Sequence, residues 1–309
     1  MDSIDRKLIT ELQIDPRKSS AKLAKGLGIT ERTVSKRINR LVSSGELVFT
    51  ALPDMRHFGF PTSAYIGIRL DRPSKSSEVA EHLCQLSQLR FISVCEGFAD
   101  IFIRGEFTSN EALSFFVTDY LAKIEGISSI DTMVELRHIK RLTWGLQYRN
   151  PAELPISKVN EIPVDEADHR LIIELQQDCR VPLKKLARQI NMNESTVYRR
   201  INNLIASGAI ELTAIPNFSK TGSTHGFVLV QTELPRMVEV AQSIASHTQI
   251  STVGIYSGPV QILAGIHISS PEDFLDLVTR ELIKTPGVIR VDTLIHLKVY
   301  KQKFFWIEQ

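Results

Sequence analysis

Cysteine is scarce in this chain of 309 residues, and its placement argues against two kinds of site. Cys84, Cys95 and Cys179 are far apart, with neither CxxC pairs nor the Cys/His spacing typical of metal binding. We therefore expect reduced, buried thiols. Long apolar runs are missing too, since no stretch approaches the roughly 18 residues of a membrane helix and the Met1 end has no apolar signal region. These absences predict a cytoplasmic protein without a membrane partner.

Catalytic signatures are also lacking. The chain has no phosphate-binding glycine loop and no nucleophile motif. Its histidines are dispersed, without the paired spacing of metal ligands: His57, His82, His138, His169, His225, His247, His267 and His296. We expect no cofactor, no metal and no enzymatic activity, and we expect His267 and His296, which lie in strand patterns, to be structural.

A strong excess of either charge is missing, because the net charge is only +2. The charges nevertheless alternate along the chain. Residues 2–62 contain 11 Lys and Arg against 7 Asp and Glu, whereas residues 63–140 contain 8 against 11. The second half repeats this more weakly, with 8 against 7 over residues 165–220 and 4 against 7 over residues 226–297. Basic heads on acidic bodies are typical of proteins that bind a polyanion at one end.

The functional prediction depends on residues 30–41, which read TERTVSKRINRL. Val34, Ile38 and Leu41 are spaced for one apolar helix face, which leaves the polar side chains on the other faces. The pattern returns at residues 193–204 as NESTVYRRINNL. We interpret both as recognition helices of helix-turn-helix modules, whose predicted DNA-contacting residues are Arg32, Thr33, Lys36, Arg37 and Arg40 in the first and Ser195, Thr196, Arg199 and Arg200 in the second.

Both helices belong to a tandem duplication of nearly the whole chain. Asp5 corresponds to Asp168, and the offset of 163 residues holds as far as residue 59. Farther on, Gly97 corresponds to Gly258, an offset of 161. A length difference of two residues must therefore lie between about residues 60 and 78.

After its three helical patterns, each repeat alternates strand and helix patterns. In the first repeat we predict, in order, a strand at 63–70, a helix at 77–87, strands at 91–95 and 100–107, a helix at 110–124 and a strand at 129–137. The order βαββαβ is that of the ferredoxin-like fold. Residues 144–163 contain three prolines and no period, which predicts a linker.

The predicted fold class is therefore α+β, with two winged or helix-turn-helix DNA-binding domains and two ferredoxin-like effector and assembly domains in tandem. The predicted boundaries are residues 1–62 and 63–143 for the first pair of domains, 144–163 for the linker, and 164–223 and 224–309 for the second pair.

These motifs resemble the Lrp/AsnC transcriptional regulators, also called feast/famine regulators. The resemblance is carried by IDRKLITELQIDPR, KLAKGLGITERTVSKRINRL and SGELVFTALPDMRHFGF, and in the second repeat by ADHRLIIELQQDCR, KLARQINMNESTVYRRINNL and SGAIELTAIPNFSKTG. It implies a sequence-specific regulator that binds double-stranded DNA, responds to an amino acid or similar metabolite, and forms homo-oligomers. Family members usually carry one head and one ferredoxin-like domain. Because this chain carries two of each, we expect its ferredoxin-like domains to pair with each other, open sheet face against open sheet face.

The resemblance also implies an effector pocket where a glycine is followed three residues later by an aspartate. Gly97 and Asp100 match this pattern, whereas Gly258 is followed by Gln261, which lacks the carboxylate that would hold an ammonium group. A tight turn between strands is the alternative interpretation of both segments. The heads differ as well, because Tyr198 stands where the first repeat has a serine, which predicts unequal half-sites.

Two other functions stay open. Sirohaem decarboxylases resemble this family in fold and can occur as fused pairs. Such an enzyme would be expected to have degenerate heads and a basic, histidine-containing pocket in its ferredoxin-like domains, whereas here the heads retain basic helices and those domains are acidic in sequence. The third alternative is an effector-binding or assembly protein that does not bind DNA.

Overall fold

The computed structural model describes residues 1–140, 164–217, 224–268 and 270–302, so the predicted linker at 144–163 lies outside the described residues. The elements of the first repeat are α1 (Ser3–Ile14), α2 (Ser20–Leu27), α3 (Glu31–Ser43), β1 (Leu47–Pro53), β2 (Thr62–Leu70), α4 (Ser76–Leu83), β3 (Leu89–Gly97), β4 (Ile101–Phe107), α5 (Asn110–Phe115) and β5 (Ile127–Lys140). Those of the second are α6 (Glu166–Gln177), α7 (Leu183–Gln189), α8 (Glu194–Ala206), β6 (Ile210–Pro216), β7 (Thr224–Thr232), α9 (Met237–Ala245), β8 (Ile250–Ser257), β9 (Ile262–Ile268), α10 (Pro271–Asp276) and β10 (Val288–Gln302). In the described part of the chain, no helix has the length and apolar character needed to cross a membrane.

Each head is a three-helix unit followed by a strand. Thr30 begins α3, because its hydroxyl accepts the backbone N–H of Thr33, and Asn193 does the same for α8. The apolar face of α3 is buried against α1 and α2, as its spacing predicts. The turn before α3 needs a left-handed residue, which Gly28 supplies with φ 67° and Asn191 supplies in the second head with φ 56°.

The two heads are joined through their strands. β1 and β6 pair antiparallel, from Leu47 opposite Pro216 to Pro53 opposite Ile210. The Thr50 hydroxyl donates to the carbonyl of Gln176 in α6 at 2.9 Å, and the equivalent hydroxyl of Thr213 donates to that of Gln13 in α1 at 3.2 Å. Ala51 lies in the core of the second head, and Ala214 lies in that of the first. Each head therefore completes its core with residues of the other.

The remaining strands form one closed eight-stranded sheet. The strand order β3-β4-β2-β5 in the first repeat and β8-β9-β7-β10 in the second is the order of a ferredoxin-like domain. β5 pairs with β8 and β10 pairs with β3, so no strand of the sheet has an unpaired edge. The expectation of pairing within one chain is confirmed, but the domains join through their edges as well as through their faces.

Three apolar clusters organise the closed sheet. The helices pack against its outer surface and form one core in each repeat, centred on residues such as Leu83 and Ile103 in the first and Ile244 and Ile266 in the second. A third cluster lies inside and draws on both repeats, with Tyr65 and Phe227 in edge-to-face contact at 5.2 Å. Neither ferredoxin-like domain buries this inner surface alone.

Two buried lysines tie each domain to the other. The Lys140 ammonium, at the end of β5, donates to the carbonyls of Ala245 and His247 at 3.0 and 3.3 Å, where α9 ends. The Lys301 ammonium, near the end of β10, donates to Cys84 at 3.1 Å and Leu86 at 2.6 Å, just after α4. A cation at a helix C-terminus satisfies carbonyls that lack a partner within the helix. The two contacts are reciprocal and link the repeats.

Replacing Lys140 with methionine should destabilise the protein. The side chain is fully buried, so the two carbonyls would lose their donor without gaining access to water. We expect the free energy of unfolding in urea to fall by about 1–3 kcal/mol, with a similar loss for Lys301→Met. The control is Lys123→Met, because Lys123 is 70% exposed and forms only a surface pair with Asp119. Equal stability of K140M and K123M would contradict the role given to Lys140.

Candidate nucleic-acid interface and central cavity

The predicted DNA-contacting side chains of the first head fall into two groups. Arg32 and Lys36 are exposed on α3, and in the described part of the chain neither has a carboxylate within ion-pair distance. Thr33 is half-buried, and its hydroxyl lies 2.9 Å from that of Thr30 at the start of the helix. These three side chains lie near the N-terminal half of α3, the part of a recognition helix that contacts base edges.

Arg37 belongs to the other group. Its guanidinium lies 2.7 Å from Asp2 and 2.8 Å from Asp5, and only 24% of its side chain is exposed. Arg40, half exposed, also contacts Asp5. Burial raises the pKa of Asp5, but hydrogen bonds from Arg37, from the Asp2 backbone and from Arg40 outweigh it and hold that pKa below its usual value. Arg37 therefore anchors α3 to the start of α1.

The second head repeats this division. Arg200 lies 2.9 Å from both Asp165 and Asp168, which cap α6, and 27% of its side chain is exposed. Ser195, Tyr198 and Arg199 are exposed on α8. Thr196 is half-buried, and its backbone N–H is held by Asn193. Sequence analysis placed Arg37 and Arg200 with the DNA-contacting residues and overlooked their carboxylate partners, although the matching Asp pairs in both repeats were a visible signal.

The glycines of the predicted effector segments lie where the two ferredoxin-like domains touch. Gly97 has φ 108°, and a Cβ there would lie 2.2 Å from the carbonyl oxygen of Thr293 in β10. Gly258 has φ 146°, and its Cβ would lie 2.5 Å from the carbonyl oxygen of Thr132 in β5. Both positions need glycine because the backbone of the other repeat approaches so closely.

Asp100 and Gln261 make the same backbone contact. The Asp100 carboxylate accepts from the N–H of Leu70 at 2.8 Å and from Arg69 at 3.2 Å. The Gln261 side-chain oxygen accepts from the N–H of Thr232 at 3.1 Å. Gln231 replaces Arg69 in the second repeat, so the ion pair is exchanged for a neutral arrangement. These contacts fit the tight-turn interpretation, and none of the four predicted effector residues lines the large cavity of the molecule.

Substitutions of Asp100 separate these roles. Asp100→Asn keeps an oxygen for the Leu70 N–H, as Gln261 does for its counterpart, so we expect a loss of stability below about 1 kcal/mol. Asp100→Ala leaves that N–H and Arg69 without an acceptor, so we expect a loss of about 1–3 kcal/mol. Urea denaturation measures both. A D100A variant as stable as D100N would show that the backbone contact is unimportant.

The large cavity has a volume of about 700 Å³ and lies between the heads and the closed sheet. Residues of both repeats line it, together with residues 52–56, 60 and 61, which connect the first head to its ferredoxin-like domain. Five basic and three acidic side chains line the cavity: Arg56, Arg90, Arg104, Arg137 and Lys301, and Asp54, Glu106 and Glu135. The expectation that the acidic ferredoxin-like domains offer no basic pocket is therefore wrong, because their acidic residues lie mainly on the outer surface.

One wall of the cavity is built around Arg104. Its Nε donates to Glu106 at 3.1 Å, its Nη2 lies 3.3 Å from Glu135, and its guanidinium lies 5.3 Å from the centre of the Tyr65 ring. Burial raises the pKa of Glu106, and Arg104 opposes that rise. Glu135 also lies 3.1 Å from His138. This wall combines charges of both signs in ion pairs.

Imidazoles form another wall. His225 and His267 approach within 2.7 Å through their Nδ1 atoms, and the Nδ1 of His296 lies 2.8 Å from the Ser93 hydroxyl. Burial lowers the pKa of His267 well below its usual value and lowers that of His296 to about 4. All three line the same cavity, although they are dispersed in the sequence. The expectation of isolated structural histidines therefore missed this group.

A comparison of the repeats could have found the imidazole wall. His225 opposes His267 across β7 and β9, at the register positions where Ser63 opposes Glu106 across β2 and β4. His296 likewise stands at the β10 position equivalent to Glu135 in β5. Three imidazoles thus replace a serine and two glutamates. A cluster of such replacements on facing strands marks the one region where the repeats differ most in chemistry.

Neither a metal site nor a disulfide is found among the described residues. No group of three or more His, Cys, Asp or Glu there is arranged to hold a metal. The thiols of Cys84, Cys95 and Cys179 are unpaired by disulfides, and burial raises the pKa of Cys95 and Cys179 to about 12. Thiols held protonated in this way are poor nucleophiles.

Comparison with known families assigns both halves of each repeat. The AsnC-type helix-turn-helix domain matches residues 1–42 and 164–205, and the Lrp/AsnC ligand binding domain matches residues 63–144 and 225–304. The chain belongs to the Lrp/AsnC family of transcriptional regulators. The family and the fold class expected from the sequence are confirmed, with each family domain present twice.

Relatives of this Lrp/AsnC chain match one repeat at a time. An uncharacterized HTH-type transcriptional regulator of Pyrococcus furiosus is 34% identical over 146 residues, which is 47% of this chain and 96% of the relative. The HTH-type transcriptional regulator FL11 of Pyrococcus horikoshii is 33% identical over 46% of this chain and 94% of its own length. Among solved structures, the siroheme decarboxylase NirDL has the same two-repeat fold, with a TM-score of 0.66 and 17% identity over 97% of this chain and 93% of NirDL.

Proposed function

We propose that this Lrp/AsnC chain is a sequence-specific DNA-binding regulator that presents two DNA-reading heads from a single polypeptide. The observation that carries the proposal is the direct pairing of β1 with β6, which holds two helix-turn-helix heads in one fixed arrangement. Both recognition helices expose polar or basic side chains next to their N-terminal turns. We keep the predicted domain limits, 1–62 and 164–223 for the heads and 63–143 and 224–309 for the ferredoxin-like domains, as part of the proposal.

The two groups of side chains receive different roles. We assign base contacts to Arg32, Thr33, Ser195 and Thr196, contacts to bases or phosphates to Lys36 and Arg199, and a phosphate contact to Arg40. Arg37 and Arg200 hold the recognition helices in place through their carboxylate partners. A small-molecule effector and self-association complete the proposal. Leu234 and Phe115, which are 71% and 67% exposed, are apolar enough to support contacts between chains.

Replacement of the exposed cations should weaken DNA binding without affecting folding. For Lys36→Ala and Arg199→Ala we expect lower affinity for a selected operator and a salt dependence reduced by about 0.9 units of log–log slope per lost phosphate contact. Arg37→Ala is the comparison, because it should lower the free energy of unfolding by about 1–3 kcal/mol by leaving Asp5 buried without its partner. Unchanged affinity and slope in folded K36A and R199A would remove both helices from the interface.

The fixed heads should make binding depend on helical phase. Because β1 and β6 prevent the heads from turning independently, the half-sites must lie on a defined face of DNA. Insertion of about five base pairs between half-sites should sharply reduce affinity, whereas insertion of about ten should largely restore it. Footprints on these operators provide the measurement. Binding that ignores the half-turn insertion would show that the heads do not act as a fixed pair.

A second candidate function is that of a sirohaem-decarboxylase-like enzyme. The likeness to NirDL concerns the fold, and the observation that favours this candidate is the cavity, where basic side chains meet His225, His267 and His296. The exposed cations of the recognition helices favour the regulator instead. Incubation with iron-uroporphyrin separates the two. The enzyme requires a saturable Soret shift and release of carbon dioxide, with no operator binding, whereas the regulator requires operator binding.

A further inference from the structure

We propose that the central cavity is a binding site for a carboxylate-bearing organic anion, and that occupancy of this site acts on the heads. This inference rests on the proposed function only in its second half, since ligand binding does not require DNA. It places the sensor site in the cavity rather than at the glycine turns of residues 97–100 and 258–261.

The charge of the lining selects an anion. Five basic side chains face three acidic ones around a volume of about 700 Å³, within the usual size of a small-molecule site. Asp54 neutralises Arg56 through contacts of 3.0 and 2.6 Å, and Glu106 and Glu135 neutralise Arg104. Arg137 has no carboxylate within ion-pair distance in the described part of the chain. The surplus is therefore positive, and a guanidinium binds a carboxylate through parallel hydrogen bonds.

The imidazole wall supplies hydrogen bonds without adding charge. Because His225 and His267 share one Nδ1–Nδ1 contact, one ring donates there and the other accepts. The accepting ring, if neutral, carries its own proton on Nε2, so the pair contains an N–H donor outside the shared contact. Imidazole is also the side chain that most readily takes up a proton when an anion approaches. The wall is therefore suited to a carboxylate oxygen.

Aromatic rings shape the rest of the site. Phe91 lies 5.0 Å from His296 in edge-to-face contact, and Phe227 lies 5.5 Å from the same ring. Together with Tyr65, these rings line the cavity with apolar surface. A ligand that combines carboxylates with an apolar body matches both the charged and the aromatic walls.

The connection to the heads lies in the same lining. Asp54 and Arg56 line the cavity, and the Asp54 N–H donates to the carbonyl of Ala209 in the second head at 2.9 Å. Asn217, also in the lining, donates through its N–H to the carbonyl of Glu46 in the first head at 2.8 Å. These backbone contacts flank the β1–β6 pair. A ligand that attracts Arg56 competes with Asp54 and so alters the joint that holds the heads together.

The test follows imidazole nitrogen resonances of the full chain by NMR during titration with citrate, 2-oxoglutarate or uroporphyrin I. We expect at least one of these probes to shift the resonances of His225, His267 and His296 and to leave that of His82, outside the cavity, unchanged. Trimethyl citrate, which lacks the charge, is the control probe. Response to the small acids and response to the porphyrin distinguish the two sources of the same carboxylate chemistry.

Repeat-derived variants test the assignment of the site. His225→Ser with His267→Glu installs the residues of the first repeat at Ser63 and Glu106, and should weaken binding at least about tenfold through the loss of two imidazoles and the added negative charge. His296→Gln tests the same wall with a smaller change, and His82→Gln is the matched control. Thermal unfolding shows whether each variant is folded. Equal affinity in wild type and in a folded wall variant would overturn the assignment.

Operator affinity, measured with and without the bound probe, separates the two halves of the inference. A changed affinity supports coupling to the heads, and an unchanged affinity at saturating probe overturns it. If the chain binds a carboxylate but no operator, the site stands and the proposed regulator fails. If it binds an operator while no carboxylate probe shifts the imidazole resonances, or the uncharged ester shifts them equally, the regulator stands and the inference fails.

Discussion

The pairing of strand edges between the two repeats is the constraint on which the rest of the structure depends. An exposed edge strand presents a row of unpaired backbone donors and acceptors, and proteins must cover or pair it. Here β3 pairs with β10 and β5 pairs with β8, so each ferredoxin-like domain supplies the partner for the edges of the other. The close backbone approach at Gly97 and Gly258 and the reciprocal lysine contacts follow from this closure. The interior cavity exists because the sheet closes around it.

The heads are subject to the same logic at smaller scale. A short strand after a three-helix unit cannot stabilise itself, and β1 finds its partner in β6. Ala51 and Ala214 cross into the opposite cores, which makes each head depend on the other. The relative placement of the recognition helices is therefore a property of one chain. In relatives that carry a single head, two copies must come from two molecules.

Fusion of the repeats also allows equivalent positions to diverge. In a symmetric pair of identical chains, every substitution appears twice, so a change on one wall changes the opposite wall as well. Here the contacts that hold the fold are conserved in function, since Gln261 keeps the backbone hydrogen bond of Asp100. The cavity walls have separated, with Glu106 on one side and His267 at the equivalent position on the other. Such asymmetry suits an asymmetric ligand.

Sequence periodicity was sufficient for the elements and their order, because the burial of one helix or strand face depends on residues close together in the chain. The buried face of α3, the capping of α1 and the βαββαβ order were all predictable in this way. The boundaries were less so. The helix expected at 77–87 ends at Leu83, where Lys301, more than 200 residues away, takes the carbonyls that follow.

The division of labour among the functional residues was decided by tertiary structure alone. Lys36 and Arg37 are neighbours with similar side chains, and only the position of Asp5, 32 residues away from Arg37, makes one of them structural. His225 and His267 are 42 residues apart and become a pair only when β7 and β9 align. The sequence by itself determined which residues face inward on each element. Which of them meet depended on strand pairing across the repeats, because side-chain chemistry in a cavity is set by distances that no local pattern encodes.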